Sequence, residues 1–211
     1  MFNLEILFNL SIIIPALVGI YVFSAIKKEY RYFIIMIITG ALHEYNMEFQ
    51  ILPYFVFDAF HTMFYSQLIL LLYFKWDTEK NPSAKKILFH ALVFIIITID
   101  QYYDYLSIYH IKWGSIACEI GISLYGIRLL NQFQNNLIGE KEGLSRKLII
   151  IPYLIFSVYY AAINILMHFL FNANTQVIFN NLYNVIRWIN FLSYISYTLA
   201  LLWAPKKEKF L

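Results

Sequence analysis

The chain has 211 residues, of which 61% are hydrophobic and 14% charged, and its mean hydropathy is +0.61. A water-soluble domain is about half apolar and about a quarter charged, so this sequence has too few charges to cover so much apolar surface. The composition predicts an all-α, polytopic membrane protein whose solvent is largely the bilayer, with a 19% aromatic content that suits interfacial belts of Tyr and Trp. The net charge of +3 is dispersed over several connectors and forms no single basic stripe, which argues against a nucleic-acid partner. One cysteine, Cys118, excludes an internal disulfide and a cysteine-based metal cage.

Crossing roughly 30 Å of hydrocarbon at about 1.5 Å per residue takes about 20 apolar residues. Seven segments of the chain meet or approach that length. The first is 4–26; Met1 to Leu10 carries Glu5 and no Lys or Arg, and Lys27 and Lys28 follow the apolar run. That order predicts a retained helix with its N-terminus outside, rather than a cleaved signal peptide. The next are 32–52, 56–75 and 86–103, the last shortened by Asp100 and Asp104. Then come 107–130, 148–171 and 177–203. Together they make 1–211 a single seven-helix transmembrane domain. The longest connector, 131–147, is polar and is predicted to be a cytoplasmic loop.

The basic residues orient the bundle. Lys27, Lys28 and Arg31 lie between the first two segments. Lys75, Lys80, Lys85 and Lys86 lie between the third and fourth. Arg128, Lys141, Arg146 and Lys147 flank the fifth connector, and Lys206, Lys207 and Lys209 follow the seventh helix. Of the 16 Lys and Arg, only Lys112 and Arg187 fall elsewhere. Connectors rich in Lys and Arg stay cytoplasmic, so the C-terminus is predicted inside. Trp203, Pro205 and the lysines after it read as a headgroup anchor that meets membrane lipids.

Ionisable groups at bilayer depth are costly and face the bundle interior. Glu44 and Glu48 lie in line with Gly40 on the second helix. Lys112, Ser115, Glu119 and Ser123 share a face of the fifth, Ser157, Asn164 and His168 of the sixth, and Asn184, Arg187, Asn190, Tyr194 and Tyr197 of the seventh. Asp58, His61 and Tyr65 lie near the outer end of the third. Glu44, Glu119 and Arg187 are each about 10 to 12 residues, or about 15 to 18 Å, from a membrane face. They are expected at one depth, with Arg187 paired to Glu44 or Glu119. With His43, Glu48, His61, Lys112, Asn164, His168 and Asn190 they define a polar centre that opens outward.

The same residues argue against several chemistries. No His-Glu-x-x-His or paired histidines on one helix support a metal centre, so neither metal nor cofactor is expected. Asp100 and Asp104 form one Asp-x-x-x-Asp pair, which reads as a solvated helix end rather than a magnesium–diphosphate site. The last helix has Arg187 and no lysine, so a retinal Schiff base has no anchor. A proton path through Glu48, Glu44 and His43 would need an inward continuation, for which His90 is the one candidate.

Three stretches carry a family resemblance. They are Tyr30-Arg31-Tyr32-Phe33 followed by Gly40-x-x-x-Glu44, then Phe74-Lys75-Trp76, and finally Asn190 with Leu202-Trp203-Ala204-Pro205-Lys206-Lys207 and Phe210. With them the chain resembles a family of small, uncharacterised seven-transmembrane-helix bacterial membrane proteins, with His43 where such relatives often have Asn. The resemblance implies a multi-pass protein of the bacterial inner membrane and supplies no activity. The residues support a sensor-like or small-ligand-binding protein with a cytoplasmic or membrane signalling partner. A membrane-embedded lipid-modifying enzyme, using Glu44 with His43 or His61, and a transporter or channel stand as alternatives.

Overall fold

A computed structural model of the protein describes residue 8 and residues 11–51, 53–77, 84–106, 113–135, 140–169 and 176–206. Among these the fold is all-α, with seven helices and no strand: α1 (Ile13–Val22), α2 (Tyr30–Phe49), α3 (Tyr54–Trp76), α4 (Ala84–Leu106), α5 (Trp113–Asn135), α6 (Glu140–Phe169) and α7 (Gln176–Trp203). An isolated antiparallel bridge joins Ile26 to Lys206.

Two boundaries differ from the sequence expectation. Within the segment expected at 4–26, Phe8 and Ile13–Val22 are helical, Ser11 and Ile12 form a turn between them, and the other residues before Ser11 lie outside the described residues. Pro15 explains the break. It has no N–H to give the carbonyl of Ser11 and its ring crowds that carbonyl, so the Ser11 carbonyl accepts from Ile14 N–H at 3.2 Å instead. The Ser11 hydroxyl turns back onto Phe8 O at 2.6 Å.

The expected loop at 131–147 is largely helix. α5 runs on to Asn135 and α6 starts at Glu140, so Arg128, Lys141, Arg146 and Lys147 are helical residues. Glu140 and Glu142 complement the dipole in the first turn of α6, and Glu142 accepts from Arg146 one turn on. Hydropathy marks where the apolar run ends, and the helix continues past that point.

α2 ends on Gln50, a non-glycine residue in the left-handed region with φ 51°, whose N–H reaches Asn46 O at 2.8 Å. A left-handed conformation costs an L-residue about 1–2 kcal/mol, which glycine does not pay. Gln50→Gly is therefore expected to raise stability by about 1 kcal/mol. A thermal melt with an unchanged or lower midpoint would refute this.

The helices pack as a closed ring in which α1 meets α2 and also α7, while α3 touches α2, α4 and α5. α3 is the enclosed element. Leu68, Ile69, Leu70, Leu72 and Tyr73 are all buried although they point in several directions, as expected of a helix surrounded by others.

Burial is uneven along the bundle. At the end that gathers Lys27, Lys86, Arg146 and Lys206 (the basic end), Tyr30, Phe33, Trp76, Leu129, Ile149, Ile150, Ala200 and Leu201 form a tight core. At the far end, the stretches 41–49, 58–65 and 184–192 bury only Asn46.

Two segments, within Glu140–Leu166 and Asn184–Trp203, are long and apolar enough to cross a bilayer. Only 33% and 22% of their apolar windows are buried inside the protein. Large apolar side chains such as Leu17, Leu42, Phe60, Leu92, Leu124, Val158 and Leu192 point outward from all seven helices.

Candidate functional site: a polar file beside α3

α3 carries Asp58, His61, Tyr65 and Tyr73 at spacings of three, four and eight residues, and its C-cap is Asp77. These spacings bring one face of the helix round repeatedly. Three polar groupings are strung along that face.

The first lies at the far end. His43 of α2 approaches Asp58 of α3, with Nε2 3.2 Å from Oδ1. The imidazole of His61 stacks on that of His43 with ring centres 4.2 Å apart and planes 17° apart. Sequence reasoning saw no histidine pair because the two sit on different helices. His61 Nε2 is buried without a hydrogen-bond partner among the described residues and faces Gly40, where a Cβ would lie 3.8 Å away. The same Cβ would meet Ile12 Cδ1 at 2.9 Å, so the turn that precedes α1 is seated on Gly40. Glu44 is half-buried and feels the charges of His43, Glu48 and Arg187. Arg187 donates to Asn184 Oδ1 at 3.4 Å. Next to it Trp188, with Phe191, packs edge-on against Phe8.

The second grouping surrounds Glu119 of α5. Its carboxylate accepts from Tyr153 OH at 2.6 Å and from Ser157 Oγ at 3.0 Å, both on α6, and Ser66 of α3, whose hydroxyl donates to Thr62 O at 3.1 Å, lies near it. Tyr65 stacks on Tyr153 with centres 6.0 Å apart and lies 5.6 Å from His61. Glu119 is thus held by hydroxyls, while the charge of Arg187 acts on Glu44.

The third lies at the basic end. The Asp77 side chain is completely buried and lies 2.9 Å from Lys86 Nζ, itself 7% exposed. Tyr125 OH donates to Asp77 Oδ2 and Gln132 Nε2 to Oδ1 at 3.4 Å. Arg128 Nη2 is 3.8 Å from Oδ2 and its guanidinium lies over the Tyr125 ring. Tyr73 links this group to the middle one, with its ring 6.2 Å from both Tyr125 and Tyr153. The sequence reading missed Asp77, Tyr125, Tyr73 and Tyr153. The available signal was the period, because Tyr73 and Asp77 continue the line through His61 and Tyr65.

The remaining expected residues are dispersed. Asn164 donates to Tyr160 O of its own helix at 2.8 Å, and Asn190 is half-buried on α7. Lys112 lies outside the described residues, as does the side chain of His168. Asp100 is not a solvated helix end. It is buried, and its carboxylate accepts the N–H of Ser115 in the first turn of α5, as an N-terminal cap does. The Asp104 side chain lies outside the described residues. Among the described residues no three His, Cys, Asp or Glu side chains converge as a metal-ligand set.

Fold and site together define an all-α bundle with a titratable file running beside its enclosed helix. Comparison with protein-family models, curated proteins and solved structures finds no match.

Proposed function

We propose that this is a multi-pass protein of the bacterial inner membrane, N-terminus outside and C-terminus in the cytoplasm, that binds a small polar solute in a recess open to the outside. The outward-pointing apolar side chains of its helices support the membrane reading, since a soluble core helix would bury most of its apolar face. The collection of Lys27, Lys86, Arg128, Arg146 and Lys206 at one end supports that end as cytoplasmic.

The observation that carries the binding reading is the asymmetry of the bundle. The basic end is closed by a tight aromatic and aliphatic core. The opposite half is loosely packed and gathers His43, Glu44, Glu48, Asp58, His61 and Arg187. Three carboxylates against one guanidinium favour a solute that presents a cationic group, such as an amine or a zwitterion.

The test uses purified protein and a panel of amines, amino acids and inorganic cations. Unfolding is read by the labelling of Cys118, the single thiol, which is buried in the native state. A solute at 100 times its Kd is expected to add about 2.7 kcal/mol of stability. Glu44→Gln and Asp58→Asn are expected to remove that gain. A panel without effect, or a gain that both variants retain, would defeat the proposal.

A second reading, a transporter, draws on the turn at Ser11–Ile12. Irregular backbone at membrane depth is tolerated where it lines a cavity, and interrupted helices mark solute sites in transporters. This turn is seated on Gly40 beside His61. Uptake of the identified solute into sealed vesicles separates transport from binding alone.

A further inference from the structure

We propose that the file beside α3 is a proton path that joins the open half of the bundle to its basic end, with Glu119 as the group that holds the proton midway. The inference rests on the membrane-spanning reading above and goes beyond it by naming the cation and the route.

The geometry is a file of neighbouring groups, joined by hydrogen bonds or ion pairs at its two ends and at Glu119 and by ring contacts between them. Asp58 and His43 are 3.2 Å apart, and His43 stacks on His61 at 4.2 Å. His61 lies 5.6 Å, ring to ring, from Tyr65, which stacks on Tyr153. Tyr153 donates to Glu119. Tyr73 packs against Tyr153 on one side and Tyr125 on the other, and Tyr125 donates to Asp77. Asp77 meets Lys86 and Arg128, and Arg128 is 46% exposed at the basic end.

Two features favour traffic along this route over a static polar lining. His61 Nε2 and the Tyr73 hydroxyl are buried and have no hydrogen-bond partner among the described residues. Orphaned polar atoms of this kind are costly in a finished core. Here they stand at the two gaps, on either side of the Glu119 grouping, where a proton must be handed on. From Leu68 to Tyr73 the file also runs along the part of α3 that is buried on several sides, as intramembrane carboxylate and histidine relays are kept inside their bundles.

The groups facing Glu119 are Tyr153 and Ser157 of α6, Ser66, Tyr65 and Tyr73 of α3, and Cys118 of its own helix. No cationic side chain is among these partners.

The chemistry involves only O–H and N–H bonds. A proton arriving at the His43–Asp58 pair passes to His61. Each hydroxyl then gives its own proton to the next group and takes one from the group before; Glu119 returns to a carboxylate when its proton passes to Tyr73, and Asp77 when its proton replaces one that the Lys86 ammonium releases at the basic end. No electron moves, and the driving force is the proton gradient across the membrane. The route differs from a path through Glu48 and Glu44 to His90, because His90 contacts Phe74 rather than any member of the file.

The experiment reconstitutes the full chain in sealed phospholipid vesicles containing a pH-sensitive dye and imposes a potassium-diffusion potential. Resistance to carbonate extraction is measured in parallel. Wild-type protein is expected to acidify the lumen well above protein-free vesicles. Glu119→Gln and Tyr73→Phe are each expected to slow this by at least about a hundredfold, with Cys118 labelling used to verify that each is folded. Glu140→Gln, at the exposed start of α6 and outside the file, should leave the flux unchanged. Carbonate-extractable protein would refute the membrane reading itself. Inserted protein with no flux above empty vesicles, or folded Glu119→Gln and Tyr73→Phe variants that conduct normally, would overturn the path while leaving solute binding intact.

Discussion

Asp77→Ala is expected to lose about 3–5 kcal/mol of stability, the cost of leaving one member of a buried ion pair without its partner. Asp77 is completely buried and Lys86 is 7% exposed, with their charges 2.9 Å apart. Removing the carboxylate strands the ammonium and releases Tyr125 OH and Gln132 Nε2 from their acceptor. The effect is conditional on the charge left behind. A double variant, Asp77→Asn with Lys86→Met, removes both charges and is expected to recover most of the loss. Cys118 labelling during thermal unfolding reads both variants. Asp77→Ala with an unshifted midpoint would show that the pair contributes little.

Substitution of Gly40 is the second large effect, and its size depends on the side chain introduced. A Cβ at Gly40 would stand 2.9 Å from Ile12 Cδ1, the far end of a flexible side chain, and 3.8 Å from His61 Nε2. Gly40→Ala is therefore tolerated by a small movement of Ile12. Gly40→Leu drives further atoms into the seat of the turn and is expected to cost about 1–3 kcal/mol, as overpacking does. It also pushes on His61, whose Nε2 lies beside Gly40. Ile12→Ala in the same chain is expected to restore stability. Equal melting of Gly40→Leu and wild type would mean that the turn does not rest there.

Much of the fold was legible in the sequence because apolar runs and alternating basic connectors report where helices lie and which ends gather together. The helix ends were less legible, for identifiable reasons. Gln132 and Asn135 of α5 and Glu140 to Lys147 of α6 are polar yet helical, and hydropathy does not distinguish a polar helical turn from a loop. Pro15 marked the interruption before α1, but its consequence for Ser11 depends on where that carbonyl turns.

The site was half visible. His43, Glu44, Glu48, His61 and Arg187 are recognisable because charged groups are conspicuous in apolar runs. Tyr65, Tyr73, Tyr125 and Tyr153 were lost among 18 tyrosines, since the sequence does not separate a tyrosine in a belt from one in a file. Asp77 looked like a loop residue because it follows Lys75-Trp76. Its burial comes from α4 and α5 closing over it, a tertiary fact with no local signal.

The ring of helices has a consequence for biosynthesis. α1 is completed by α7, and the join is made explicit where Lys27 N–H bonds Pro205 O at 3.0 Å. The first of these helices to leave the ribosome therefore waits for the last. Until then the apolar face of α1 that α7 will cover has no partner from α7. Chains arrested before α7 should hold α1 in a state that proteases cut more readily, and release of the remainder should lock both ends of the ring in one step.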